Sequence, residues 1–312
     1  MKTGFCFILI LPLLYITQLM AASDIKVLVS IKPFHSLVSA IMQDVSEPLL
    51  LINGNNSPHS YALRPSSAEN LQQADLVFWG GEILEGFLTK PLQSLASRAK
   101  LVSLQETAGL RLLPLRSGIG WQKHETDSAN DHSAEDETTS TSGTDPHIWL
   151  DPYNAKIISA KIVEILTAMD PQNAQSYRIN GEKYGLRLEL LDRKLKAEMT
   201  KVAETPYMVF HDAYQYFEKR YQLNVIGAVT LHLGYGSSVR RLKTVRKTIK
   251  KEKIRCIFSE PQFSPKLLQT VTAGTNVKQG TLDPLGAGLE SGPELYFTLL
   301  NNLSHNISSC LN

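Results

Sequence analysis

Four residues, far apart along the chain, have the side-chain types that hold a transition metal. His59 lies in Ser57-Pro58-His59-Ser60-Tyr61, and His147 in Asp145-Pro146-His147-Ile148-Trp149. His211 lies in Val209-Phe210-His211-Asp212-Ala213, and Asp283 in Thr281-Leu282-Asp283-Pro284-Leu285. His59, His211 and Asp283 each come after an apolar run that reads as a strand, and open α/β sheets bind ligands outside the carboxyl ends of their strands. Three imidazoles and one carboxylate meeting there make a tetrahedral N3O donor set, which suits Zn2+ better than harder cations. The same set with one open position would describe the zinc of a hydrolase, with Glu260 or Asp212 as base. No His-Glu-x-x-His or other recognised catalytic motif accompanies it, so capture is preferred to turnover. No local motif spans these positions, and only the fold can assemble them.

The elements that would position them alternate in type. Ile25 to Ile31 reads as a strand, Phe34 to Met42 as an amphipathic helix, Leu49 to Ile52 as a strand, and Leu76 to Trp79 as another. Ser66 with Glu69 three residues on is a capping-box signature. The pattern returns in Met208 to Phe210, Leu223 to Val229, Ile254 to Ser259 and Val277 to Leu282. Strands alternating with helices imply parallel sheets. Between the two halves, Asn173 to Val202 is charged and nearly proline-free, with Leu186, Leu188, Leu190, Leu191 and Leu195. It reads as one long helix, a helix-turn-helix break at Gly181 and Gly185 being the alternative. The expected fold is α/β: two lobes, each with a mainly parallel sheet flanked by helices, joined by one long rigid helix. The boundaries expected are 23–150 and 204–312 for the lobes and 151–203 for the helical segment.

The first residues look unlike the rest. Lys2, an apolar stretch from Phe5 to Leu19 and the small residues Ala21-Ala22-Ser23 read as a signal peptide over 1–22. The apolar run is shorter than the roughly 20 residues a spanning helix needs. Export removes Cys6 and leaves Cys256 and Cys310 in an oxidising compartment, where pairing is favoured. A bridge closing about 54 residues contributes roughly 4 kcal/mol in the chain-entropy model. With 32 basic and 30 acidic residues the net charge is only +2, which argues against a polybasic nucleic-acid binder. That balance is an average. Gln122 to Asp145 carries seven carboxylates against one lysine and is read as a mobile acidic loop, whereas Arg240 to Arg255 carries nine basic residues against one acidic. Leu242, Val245 and Ile249 give the basic segment an apolar helical stripe, so it reads as an amphipathic helix with a solvated face, or a contact for a protein partner or anionic lipid. His35 and His305 fall in helical patterns and read as structural or exposed; His232 lies in a loop region.

Taken together, several segments resemble one family. Ser30-Ile31-Lys32-Pro33, Ser57 to Ser66, His147-Ile148-Trp149-Leu150-Asp151-Pro152, Val209 to Tyr214, Phe258-Ser259-Glu260-Pro261-Gln262-Phe263 and Thr281 to Gly286 span nearly the whole mature chain in order. They resemble ZnuA, the periplasmic zinc-binding proteins of ABC importers, within the metal-binding group of solute-binding proteins. The resemblance implies two α/β lobes joined by a long helix, with Zn2+ in the cleft between them. It makes His59, His147 and His211 ligands and gives Asp283 the fourth position or a nearby water. A histidine at 211 resembles the zinc members more than the manganese ones, so a Mn2+ or Fe2+ carrier is the alternative within the family. The family's C-terminal disulfide falls on Cys256 and Cys310. Its mid-chain histidine-rich loop corresponds to 122–145, where only His124 and His132 remain, a weak auxiliary site at most. The implied partner is an ABC transporter permease, and the implied state a periplasmic monomer.

Overall fold

The computed structural model describes residues 25–54, 56–116, 143–230, 239–263 and 265–312. The first half contains β1 (Val27–Val29), α1 (Lys32–Ile41), β2 (Leu49–Leu50), α2 (Pro65–Gln73), β3 (Leu76–Trp79), α3 (Glu82–Glu85), α4 (Thr89–Leu95) and β4 (Lys100–Ser103). Two long helices follow, α5 (Pro152–Met169) and α6 (Ala174–Met199). The second half contains β5 (Tyr207–His211), α7 (Gln215–Tyr221), β6 (Val225–Thr230), α8 (Val239–Lys251), β7 (Cys256–Ser259), α9 (Pro265–Thr272), β8 (Lys278–Thr281) and α10 (Leu295–Leu311). The signal segment 1–22, most of the acidic loop with His124 and His132, and His232 lie outside the described residues.

Each half carries a four-stranded, all-parallel sheet, ordered β2-β1-β3-β4 in the first and β6-β5-β7-β8 in the second. Strand order therefore reverses at β1/β3 and again at β5/β7, which opens a crevice at each carboxyl edge. Central strands of such sheets are covered on both faces and read as unbroken apolar runs. Val27-Leu28-Val29 and Leu76-Val77-Phe78 are accordingly buried. In the second sheet successive residues serve different cores: Met208, Phe210 and Ile257 face α8 and α9, while Val209, Cys256 and Phe258 face inward toward α10. The inward cluster is continuous with the apolar core of the first half through α5 and α6, so the two lobes share one packed interior.

The long helix is unbroken over its 26 residues. Glycines at 181 and 185 did not stop it, because α5 packs antiparallel along this face. A Cβ on Gly181 would stand 2.4 Å from Val163 Cγ2, so the absent side chain allows close approach rather than a turn. Leu188, Leu191 and Leu195 are buried, whereas Leu186 and Leu190 are exposed. Asp151 caps α5, its Oδ1 accepting from Tyr153 N at 2.8 Å, with Pro152 in the first turn. Arg220 of α7 pairs with Asp192 of α6 at 2.6 Å and with Asp151 at 3.1 Å, tying the strut to the second lobe.

Several expectations need correction. The Ser66/Glu69 capping box is not used: Pro65 starts α2 one residue earlier, so Ser66 falls inside the first turn and no side chain caps the helix. The strands expected over 25–31 and 49–52 shrink to Val27–Val29 and Leu49–Leu50, since Ser30 and Ile31 already turn into α1. β4 was missed because it is an edge strand with Lys100 and Leu101 exposed, lacking the apolar run of a central strand. The basic segment forms α8 with Val245 and Ile249 buried and Lys243, Lys247, Lys250 and Lys251 exposed, as its stripe predicts. Cys256 and Cys310 form a disulfide, Cα–Cα 6.1 Å, joining β7 to the last turn of α10. No described helix is long and apolar enough to cross a membrane.

Candidate metal centre

His211 is the last residue of β5, and its imidazole emerges at the crevice where the order of the second sheet reverses. Parallel pairing sets Val209 beside Phe258, so two residues further along each strand His211 meets Glu260. Glu260 Oε1 stands 3.2 Å from His211 Nδ1. His147 comes from the segment leading into α5. Its Nδ1 lies 2.7 Å from Asp145 Oδ1, which also accepts from the His147 backbone N–H at 2.9 Å. His59 comes from the loop after β2, where its backbone N–H donates to Ser57 Oγ at 3.3 Å. The three imidazoles converge: one nitrogen from each lies within 4.8 Å of the other two. His59 Nε2 and His147 Nε2 are 3.4 Å apart, and the ring centroids are 5.2 to 5.6 Å apart.

A carboxylate on Nδ1 takes that nitrogen's proton in a hydrogen bond and leaves Nε2 with its lone pair. Asp145 therefore turns His147 into a pre-oriented Nε2 donor, and Glu260 stands at ion-pair distance from His211 Nδ1. His147 and His211 are buried and His59 is half-buried, so the site opens on the His59 side. Trp149, Phe263, Pro284 and Leu285 line the small cavity around the rings and lower its polarity.

Electrostatics follows from burial. Burial, reinforced by the charge of His211, lowers the His147 pKa well below 6.5 and keeps the ring neutral. Burial also opposes charge on His211, but Glu260, together with Asp212 and Asp145, outweighs it and raises that imidazole above 6.5. The Asp145 carboxyl is pushed by burial up to about 7, against the His147 amide, Arg116 and His211, which favour the anion. Beneath the rings, Arg116 pairs with Asp212 and with Glu218, the latter at 2.7 Å. The described chain on either side of residues 117–142 meets here as well: Leu115 N donates to Gly143 O at 3.0 Å, and Asp145 N to Leu113 O at 2.8 Å. Tyr216 Oη donates to Asp145 O at 2.9 Å.

Asp283 is not in the three-residue cluster. Its carboxylate accepts from Leu285 N at 3.1 Å and Ala287 N at 2.6 Å, with Gln262 Nε2 at 3.5 Å, so it organises the loop beside the cavity. The roles of Asp145 and Glu260 as histidine partners were not read from the sequence. A carboxylate two residues before a histidine, and one at the end of the strand adjacent to β5, were the signals available. His35 is structural, its Nε2 2.9 Å from Pro48 O, and His305 is exposed on α10.

The chain is similar to known proteins over nearly all of its length. Residues 27–310 match the family model described as ZnuA, zinc-uptake complex component A, periplasmic. It is 40% identical over 304 residues to the high-affinity zinc uptake system protein ZnuA of Brucella abortus (strain 2308), covering 91% of each chain. The Yersinia pestis protein of the same name is 34% identical over 289 residues, again covering 91% of each. A crystal structure of ZnuA superposes with a TM-score of 0.76 at 25% identity, covering 93% of this chain and 100% of the other. This chain belongs to the ZnuA family.

Proposed function

We propose that this protein captures Zn2+ in the periplasm, in the crevice between its two lobes, and delivers it to the permease of an ABC importer. The observation that carries this reading is the convergence of His59, His147 and His211, two of them backed by buried carboxylates. Neutral nitrogen donors suit Zn2+ more than Mn2+, and membership of the ZnuA family supports the same cargo. The three imidazoles supply the protein's share of a tetrahedral shell. Asp283, already engaged by two loop amides, enters as the partner of a water in the fourth position. The lobes are taken as 23–150 and 204–312, with 151–203 between them, in a monomer exported by a cleavable signal peptide over 1–22.

The protein binds rather than catalyses. Both carboxylates that a hydrolase would recruit as base are occupied, Asp212 by Arg116 and Glu260 by His211. Titration calorimetry of the purified mature protein tests the reading. His59→Ala, His147→Ala and His211→Ala each lower Zn2+ affinity by roughly a hundredfold or more, since losing a ligand costs more than losing its hydrogen-bond partner. Native affinity in all three variants sinks the site. Competition with excess Mn2+ leaves Zn2+ bound; displacement at comparable concentrations favours the manganese reading.

A further inference from the structure

Lys32, the first residue of α1, is buried although it belongs to the residue type least often found inside. Its ammonium crosses from the first lobe to the loop after β8. There Nζ donates to Gly286 O at 3.3 Å, Ala287 O at 2.8 Å and Leu289 O at 2.7 Å. An ammonium has three donors, and three carbonyls meet them. The same loop is organised from its other side by Asp283, which holds the Leu285 and Ala287 amides. Loop carbonyls thus rest on a cation from the first lobe and loop amides on an anion from the second. Trp149 Nε1, beside His147, donates to Pro284 O at 2.8 Å, and Pro284 and Leu285 line the cavity around the imidazoles.

We propose that Lys32 is a positioning residue that clasps the 283–289 loop over the metal cavity, so that metal release requires its ammonium to leave the three carbonyls. The proposal rests on the His59, His147 and His211 site above. The shared interior allows little free movement between the lobes, and among the described residues Lys32 makes three of the polar contacts from the first lobe to this loop, beside the one from Trp149. A partner that eases the lobes apart breaks them together and exposes the metal.

The test is the rate at which Zn2+ passes to excess chelator in stopped flow, measured alongside urea unfolding. Lys32→Met keeps the apolar stem and removes the donors. It speeds release roughly ten- to hundredfold, the size expected from losing hydrogen bonds to a charged group, and Lys32→Arg recovers part of the loss. Release at the native rate in Lys32→Met, even with a lowered unfolding midpoint, reduces Lys32 to a structural role and overturns the clasp. Should Lys32→Met fail to fold, hydrogen exchange on the native protein decides. The clasp requires the Leu285 and Ala287 amides to exchange more slowly with Zn2+ bound, and equal exchange with and without metal overturns it. Failure of the site itself shows separately, as native affinity in His147→Ala.

Discussion

Replacing Asp145 tests whether the carboxylates behind the imidazoles shape the metal site. Asp145 is 2% exposed and His147 4%, so water cannot take over when the carboxylate is removed. Asp145 Oδ1 holds two groups of His147, the backbone N–H at 2.9 Å and Nδ1 at 2.7 Å. Asp145→Ala leaves both donors buried and unpaired, each costing about 1–3 kcal/mol. The backbone share weakens the metal-free and metal-bound protein alike. The Nδ1 share falls mainly on the bound form, because a metal on Nε2 makes the Nδ1 proton more acidic and its hydrogen bond stronger. Losing an outer partner of this kind lowers metal affinity by roughly 10- to 100-fold, or about 1.4–2.7 kcal/mol. Asp145→Asn keeps an acceptor oxygen and loses the charge, so it belongs near the tenfold end and Asp145→Ala near the hundredfold end. Competition with a chelator of known affinity at pH 7.5 gives the order native, Asp145→Asn, Asp145→Ala, His147→Ala. An Asp145→Ala protein with native near-ultraviolet dichroism and affinity within threefold of native would refute the reasoning.

Three further outcomes follow from the same structure. Zn2+ affinity falls as pH drops, and because Glu260 raises His211 above 6.5, the fall begins above that value, protons competing for the ring; calorimetry between pH 5.5 and 8 checks it, and a flat profile counts against His211 as ligand. Glu85 is wholly buried, and burial pushes its carboxyl from 4.5 to about 7. Folding thus favours the protonated form, and its contribution is full below 4.5 and lost as pH rises through 7. Glu85→Gln therefore matches native stability in urea at pH 4.5 and exceeds it by up to about 3 kcal/mol at pH 8. Cys256→Ser with Cys310→Ser opens a loop of 54 residues and lowers stability by roughly 4 kcal/mol, with Zn2+ affinity close to native because the bridge lies on α10, away from the imidazoles.

Much of the fold was legible because central parallel strands bury both faces. Leu76 to Trp79 was read to the residue for that reason. β4 was not, since an edge strand with exposed Lys100 carries no such run. The long helix is legible in its pattern, but only the approach of Val163 on α5 shows why glycine stands at 181 within it. Leu186 and Leu190 were counted with the apolar face and are exposed. The candidate ligand histidines were visible as single residues, two of them after strand-like runs. Their carboxylate partners were less visible, because which carboxylate faces which ring depends on strand pairing and on a local turn.

Residue types and local pattern by themselves determined the α/β class, the paired cysteines and which imidazoles were candidates, since burial, alternation and redox chemistry act over a few residues at a time. The tertiary structure alone decided that His59, His147 and His211 meet while Asp283 serves its own loop. It also set Asp145 and Glu260 against the rings and carried Lys32 across the chain to three carbonyls. Apart from Asp145 with His147 and Asp283 with its own loop, those contacts join positions tens to hundreds of residues apart. They depend on how two sheets of the same strand order face each other across one shared core, and no local propensity encodes that.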